Sequence, residues 1–182
     1  MKYIKTAIKD VWIIEPTVFV DARGYFFEAW KQKEFNEHIG KIDFMQDNES
    51  ESTYGVLRGL HYQTGDFSQA KLVRVIKGTV LDVAVDLRKS SPTFGQYVMT
   101  ELSDVNKRQM FIPRKFAHGF LVLSQEAIFS YKVDNVYAPE HEAGIRWNDA
   151  TINIPWPLER SRLIIAEKDL NRISLQEAEL FD

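Results

Sequence analysis

Short stretches in which apolar and polar side chains alternate dominate the middle of the chain. Over residues 71–77, Lys71, Val73 and Val75 fall on one face; over 80–88, Leu81, Val83, Val85 and Leu87 share a face. A period of two is that of a half-buried β-strand, and Gly78 and Thr79 supply turn residues between the two runs. Further short runs at 95–102, 109–112, 118–123 and 127–137 are separated by turn signals such as Ser91-Pro92 and Pro113. Many short strands at close spacing predict an antiparallel sandwich, barrel or jelly roll. Helix is the minor component. Phe35, His38 and Ile39 share a face within residues 30–39, where Gly40 supplies a stop. Near the end, Ser174 and Glu177 have capping-box spacing ahead of Ala178, Leu180 and Phe181. Both helices are expected to be short and peripheral on an all-β body.

No repeat, low-complexity tract or linker breaks the pattern, so residues 1–182 are expected to form one domain. A chain of this length buries about 70% of its extended surface and needs no covalent staple. Hydrophobic residues at 45% and charged residues at 27% exclude a disordered chain. The absence of cysteine removes disulfides, thiolate nucleophiles and cysteine-ligated metal sites together. Twenty-three Lys and Arg against 26 Asp and Glu leave a charge of −3 with no dense basic block, so nucleic acid is not an expected partner. No apolar run reads as a signal peptide or approaches the length that crosses a bilayer, which makes a cytoplasmic location the expectation.

The chemistry has few carriers. Of the four histidines, His38 falls on the inner face of the expected surface helix and His141 in a polar loop, leaving His61 and His118. No His-x-His pair is present, which counts against a metal-dependent barrel. Strict alternation puts His61 and Gln63 on one face and Arg58, Leu60 and Tyr62 on the other. Tyr131 shares a face with Phe129 and Val133, where packing is the ordinary role of the ring. Lys71 is harder to explain by packing, because an ammonium in line with valines is costly unless that face borders a polar cavity or the side chain, at the strand end, snorkels to water. Asp82, Ala84, Asp86 and Arg88 read as a solvated outer face with a weak ion pair. Asp47-Asn48-Glu49-Ser50-Glu51-Ser52 reads as a loop, whose start could equally meet a ligand. By themselves these patterns give an all-β domain with a possible pocket.

Several segments taken together, and in this order, are more specific. They are Asp21-Ala22-Arg23-Gly24-Tyr25-Phe26-Phe27-Glu28, Gln46-Asp47-Asn48, Val56-Leu57-Arg58-Gly59-Leu60-His61-Tyr62-Gln63 and Lys71-Leu72-Val73-Arg74-Val75. After them come Asp82-Val83-Ala84-Val85-Asp86-Leu87-Arg88, Ser91-Pro92-Thr93-Phe94-Gly95 and Phe116-Ala117-His118-Gly119-Phe120. Gly144-Ile145-Arg146-Trp147-Asn148-Asp149 and Glu167-Lys168-Asp169 complete the series. The sequence resembles the dTDP-4-dehydrorhamnose 3,5-epimerase family from about residue 3 to about residue 170. The resemblance implies a cupin-like jelly roll (a double-stranded β-helix), a homodimer, no metal or organic cofactor, and dTDP-4-dehydro-6-deoxyglucose as substrate in dTDP-rhamnose formation. It implies His61 as general base, Asp169 as its orienting carboxylate, Tyr131 as the acid on the opposite face of the sugar and Lys71 as the cation at the enolate. It further implies substrate contacts from Arg23, Glu28, Gln46, Asp47, Asn48, Arg58, His118, Glu142 and Lys168, with Tyr137 stacking on thymine. Two departures stand out: Lys115 where a glycine is common, and Ile165-Ala166 where a Leu-Ser pair is common. A sister epimerase acting at one carbon only would need the same groups, and a non-catalytic sugar-binding domain would leave the conjunction of His61, Lys71, Tyr131 and Asp169 without a purpose.

Overall fold

The computed structural model describes residues 1–182. Its strands are β1 (Lys2–Lys5), β2 (Trp12–Glu15), β3 (Phe19–Asp21), β4 (Gly24–Phe26), β5 (Gln46–Thr53), β6 (Val56–Gln63) and β7 (Lys71–Lys77). They continue as β8 (Thr79–Asp86), β9 (Tyr97–Ser103), β10 (Gln109–Ile112), β11 (Phe116–Val122), β12 (Glu126–Val133), β13 (Glu142–Gly144) and β14 (Ile164–Ile165). Two short helices, α1 (Gln32–His38) and α2 (Glu167–Leu170), flank them. Sheet one runs β1-β2-β10-β7-β12-β5 and sheet two runs β13-β6-β11-β8-β9, with β14 added parallel to β6. From β5 to β12 the chain changes sheets at every connection except the β8–β9 hairpin, which gives the cupin-like jelly roll. The separate β3–β4 hairpin turns at Gly24, whose φ of +122° is easy only for glycine.

The core between the sheets is built by Val73, Val75, Val80, Ala84, Phe120, Phe129 and their neighbours. Both sheets also bury much of their outer faces. Sheet one is covered by α1 through Phe35, and sheet two by the C-terminal segment through Ile145, Ile152, Leu175 and Phe181. That second covering corrects the reading of β8. Leu81, Val83, Val85 and Leu87 do share a face, but Val83, Val85 and Leu87 pack outward beneath the C-terminal segment. Asp82 and Asp86 therefore point inward and are fully buried. Asp86 accepts from Arg88 Nε (2.9 Å), Ser91 Oγ (2.7 Å) and Thr93 Oγ1 (2.8 Å). Burial pushes the Asp86 carboxyl up, but these donors outweigh it and hold the group below its ordinary range. It anchors the turn after β8 rather than making a weak surface pair.

Two further expectations are corrected. The Asp47–Ser52 run is not a loop but most of β5, paired along its length with β12. Its inward side chains Gln46, Asn48 and Ser50 are polar because they face a cavity, so no apolar alternation marks the strand. At the C-terminus, Ser174 N–H and Oγ both bond Glu177 Oε2 (3.0 and 2.5 Å), but a turn rather than a helix follows. Leu175 and Phe181 pack into the same outer layer of sheet two, although six residues apart they would not share one face of a helix.

Candidate active site

The site begins with an irregularity in β6. His61 lies opposite His118 of β11 and Arg58 opposite Phe120, so Gly59 and Leu60 together oppose the single residue Gly119. One extra residue is a β-bulge, and it reverses the alternation beyond it. Arg58 and His61 thus line one cavity, where strict alternation puts them on opposite faces. Glycine is needed at both sides of the crossing. A Cβ on Gly59, where φ is +123°, would lie 2.6 Å from Gly119 Cα, and one on Gly119 would lie 2.7 Å from the Arg58 carbonyl oxygen.

The cavity has a volume of about 650 Å³ and lies between the two sheets, lined by β5, β7 and β12 on one side and β6 and β11 on the other. Sheet two supplies His61 and His118 from neighbouring strands, and sheet one supplies Lys71 from β7 and Tyr131 from β12. Imidazole and phenol consequently approach the space from opposite walls. The Lys71 ammonium lies 6.0 Å from the centre of the Tyr131 ring, on the same wall. Behind His61, Nε2 meets Asp169 Oδ1 at 2.6 Å, and the Gly59 N–H reaches Asp169 Oδ2 at 3.4 Å. With Nε2–H donating to the carboxylate, Nδ1 is the ring's remaining proton acceptor. α2 begins where the chain leaves β14 beside β6, and this brings Asp169 under the imidazole.

Burial sets the charges of the site. It lowers Lys71 to about 8, although Asp82 and Glu142 oppose the shift. Burial also raises the Tyr131 phenol, against the nearby Arg58 charge, so the hydroxyl keeps its proton through the physiological range. His118 Nε2 bonds Asp82 Oδ1 at 2.8 Å, and burial holds this imidazole below its ordinary value, with Asp82 pulling the other way. Asp169 is raised by burial but lowered further by its bond to His61, and the net shift is downward. At the mouth, Glu142 accepts from Tyr137 OH (2.8 Å), Lys168 Nζ (3.0 Å) and Arg172 Nη2 (2.5 Å). Burial pushes Glu142 up, yet these donors outweigh it and bring the carboxyl down to about 2.

The cavity thus gathers His61, Lys71, Tyr131, Asp169, Gln46, Asn48, Arg58, His118, Tyr137, Glu142 and Lys168. Three residues expected at the substrate do not line it. Asp47 points to the outer face of β5 and pairs with Lys132. Arg23 sits in the β3–β4 turn, its side chain 90% exposed and bonded to Asp21, and Glu28 pairs with Lys31. His38 is exposed rather than inward, stacked on Tyr3 with ring centres 4.2 Å apart. His141 is half-buried rather than solvated and stacks on Phe67. Sequence reasoning missed Asp82 as the partner of His118, because its strand's apolar face packs outward. It also missed Arg172, whose only signal is its three-residue spacing from Asp169. No three His, Asp or Glu side chains converge as a metal-ligand set.

Comparison with known proteins agrees with this fold. The family model described as dTDP-4-dehydrorhamnose 3,5-epimerase matches residues 5–177. A dTDP-4-dehydrorhamnose 3,5-epimerase of Shigella flexneri is 54% identical over 182 residues, covering 100% of this chain and 99% of the relative. The crystal structure of a dTDP-6-deoxy-D-glucose-3,5-epimerase from Legionella pneumophila Philadelphia 1, in complex with dTDP-4-keto-L-rhamnose, is 46% identical with a TM-score of 0.94. It covers 98% of this chain and 94% of that one. A 3'-monoepimerase from Streptomyces bikiniensis in complex with dTDP-quinovose is more distant, 29% identical with a TM-score of 0.88 over 95% of this chain and 87% of that one. The chain belongs to the dTDP-4-dehydrorhamnose 3,5-epimerase family, a family of isomerases.

Proposed function

We propose that this chain, acting as one jelly-roll domain, converts dTDP-4-dehydro-6-deoxy-D-glucose to dTDP-4-dehydro-L-rhamnose by inverting C3 and C5. The single observation that carries the reading is that His61 and Tyr131 face one cavity from opposite sheets, with Lys71 in the same wall as the phenol. C3 and C5 both flank the C4 ketone, so one carbonyl acidifies both protons. His61 Nδ1 takes a proton from carbon, and the C–H electron pair moves through the new C=C bond onto the C4 oxygen. Lys71 stabilises that enolate oxygen. Tyr131 returns a proton to the opposite face of the same carbon as the enolate collapses to the ketone, and both side chains then re-equilibrate with solvent. The cation needed at the enolate is a side chain, and the reaction is redox-neutral, so the proposed cycle calls on no metal or organic cofactor. Arg58 and Lys168 suit the diphosphate, and Tyr137 at the mouth offers a ring face to the base.

Incubation with the keto-sugar in heavy water is the direct test. Deuterium at both C3 and C5 is the expected result. Label at one carbon alone would move the chain to the one-carbon activity, and label at neither would overturn the reading. Lys71 carries two linked expectations. Activity falls as pH rises through about 8, where burial places loss of the ammonium proton despite the opposing Asp82 and Glu142, and well before the raised Tyr131 phenol ionises. Lys71→Met lowers kcat by about 10²–10³-fold, the usual cost of one lost oxyanion donor, and abolishes that alkaline limb. A pH–rate profile of the variant that keeps the limb would assign it elsewhere.

We further propose a homodimer in which the β3–β4 hairpin crosses to the partner. The hairpin leaves Phe19, Val20, Tyr25 and Phe26 between 57% and 79% exposed, an apolar surface that a lone protomer has no reason to keep. Such a crossing would also give Arg23 and Glu28, which miss their own cavity, a route to the partner's. Light scattering is expected to give twice the protomer mass, and Val20→Asp with Phe26→Asp to give a monomer; a dimer that survives both changes places the interface elsewhere. A cytoplasmic small-molecule enzyme fits a charge of −3 and the absence of any helix long and apolar enough to cross a membrane.

A further inference from the structure

Arg172 lies outside the cavity wall, yet it touches the side chains that hold both ends of the cavity. Its side chain is 16% exposed and runs beside Gly144, where a Cβ would meet its Nε at 2.8 Å and its Cδ at 3.0 Å. Glycine at that position leaves room for the guanidinium. Nη2 donates to Glu142 Oε1 at 2.5 Å. Nε is shut off from solvent without a hydrogen-bond partner and lies 3.6 Å from Asp169 Oδ1, the same oxygen that meets His61 Nε2. Glu142 in turn takes the Tyr137 hydroxyl, so a continuous polar chain runs from Tyr137 through Glu142, Arg172 and Asp169 to His61. Lys168 reaches Glu142 as well, but from solvent, with its side chain 60% exposed. A planar fork can address two carboxylates at once, whereas a single ammonium in that space can serve one.

We propose that Arg172 is a positioning residue that ties the carboxylate at the mouth, Glu142, to the carboxylate behind the base, Asp169. The inference rests on the epimerase reading for the role of His61. Without the guanidinium, Glu142 loses its least exposed donor and Asp169 loses the cation that opposes its rotation away from the imidazole. Nucleotide binding and proton removal should therefore weaken together.

The test uses Arg172→Met, which keeps the aliphatic stem, and Arg172→Lys, which keeps the charge without the fork. Two quantities are read per folded protein: dTDP affinity by calorimetry, and deuterium wash-in at saturating keto-sugar. For Arg172→Met, each is expected to fall about 10-fold or more, affinity through the lost charged hydrogen bond to Glu142 and wash-in through the lost ion pair with Asp169, with a cooperative melt retained. Arg172→Lys is expected to recover one of the two and not both. Wild-type values for both in a folded Arg172→Met overturn the proposal. Should that variant fail to fold, Arg172→Lys decides: a deficit in either quantity supports the fork, and wild-type values in both overturn it. Wash-in by the unmodified enzyme tests the epimerase reading separately, and the dTDP arm stands whichever way that result falls.

Discussion

His61→Ala is expected to lose solvent exchange at C3 and C5 together, by about 10²–10⁴-fold, the range of a single general base. The joint loss follows from His61 being the more accessible of the two carboxylate-backed imidazoles in the cavity, its side chain 28% exposed against 8% for His118. His118 is the other ring in the space, but it is buried, and its Nε2 is bonded to Asp82. Its downward shift, from burial first, makes it a poor proton acceptor. His118→Asn should therefore weaken binding more than it weakens exchange. Asp169→Asn should resemble His61→Ala. An amide can present N–H to Nε2, which favours the tautomer with the proton on Nδ1 and removes the acceptor facing the sugar. Mass spectrometry of the recovered keto-sugar measures both carbons at once. Exchange in His61→Ala within about tenfold of the unmodified enzyme at either carbon would assign that carbon a different base.

How much of this is legible in the sequence depends on which side of each strand is apolar. β7 and β10 begin and end where alternation or run length puts them, at Lys71–Lys77 and Gln109–Ile112, because Val73, Val75, Met110 and Ile112 are ordinary core. The same rule placed the β8 faces correctly as a set and then inverted them. A chain segment covering the outside of a sheet makes both faces apolar, and alternation cannot tell inside from outside. β5 was invisible for the opposite reason: its inner face is polar and lines the cavity, and its pairing with β12 is carried by backbone hydrogen bonds that leave no mark in composition. The bulge at Gly59 was equally silent, since two glycines signal a close approach but not which side chains it realigns. Lys71 was the one site residue whose chemistry was visible from pattern alone. A lysine in register with valines points either to a polar cavity or, from the strand end, out to water, and it faces the cavity. The roles of His61, Tyr131 and Asp169 came from the family resemblance. The fold adds that they converge.

Tyr131→Phe is expected to separate two quantities that are locked together in the unmodified enzyme. Inversion needs a proton delivered to the face opposite the base, and the phenol, on the opposite sheet from His61, is the group proposed to supply it. Its hydroxyl is raised by burial, against the pull of Arg58, so it stays protonated while the base works. Removing only the hydroxyl keeps the ring and its packing on Phe129, whose centre lies 6.1 Å away. Lys71 and His61 remain, so the enolate still forms. The imidazolium then exchanges with solvent and returns a deuteron to the face it came from. The expected product is starting keto-sugar that carries deuterium with its configuration retained, while net inversion falls by about 10²–10⁴-fold. Mass spectrometry reports the label, and proton NMR coupling constants report the configuration. If label and inversion decline in the same proportion, the phenol is not a separate acid, and the two-face mechanism fails even with every other residue in place.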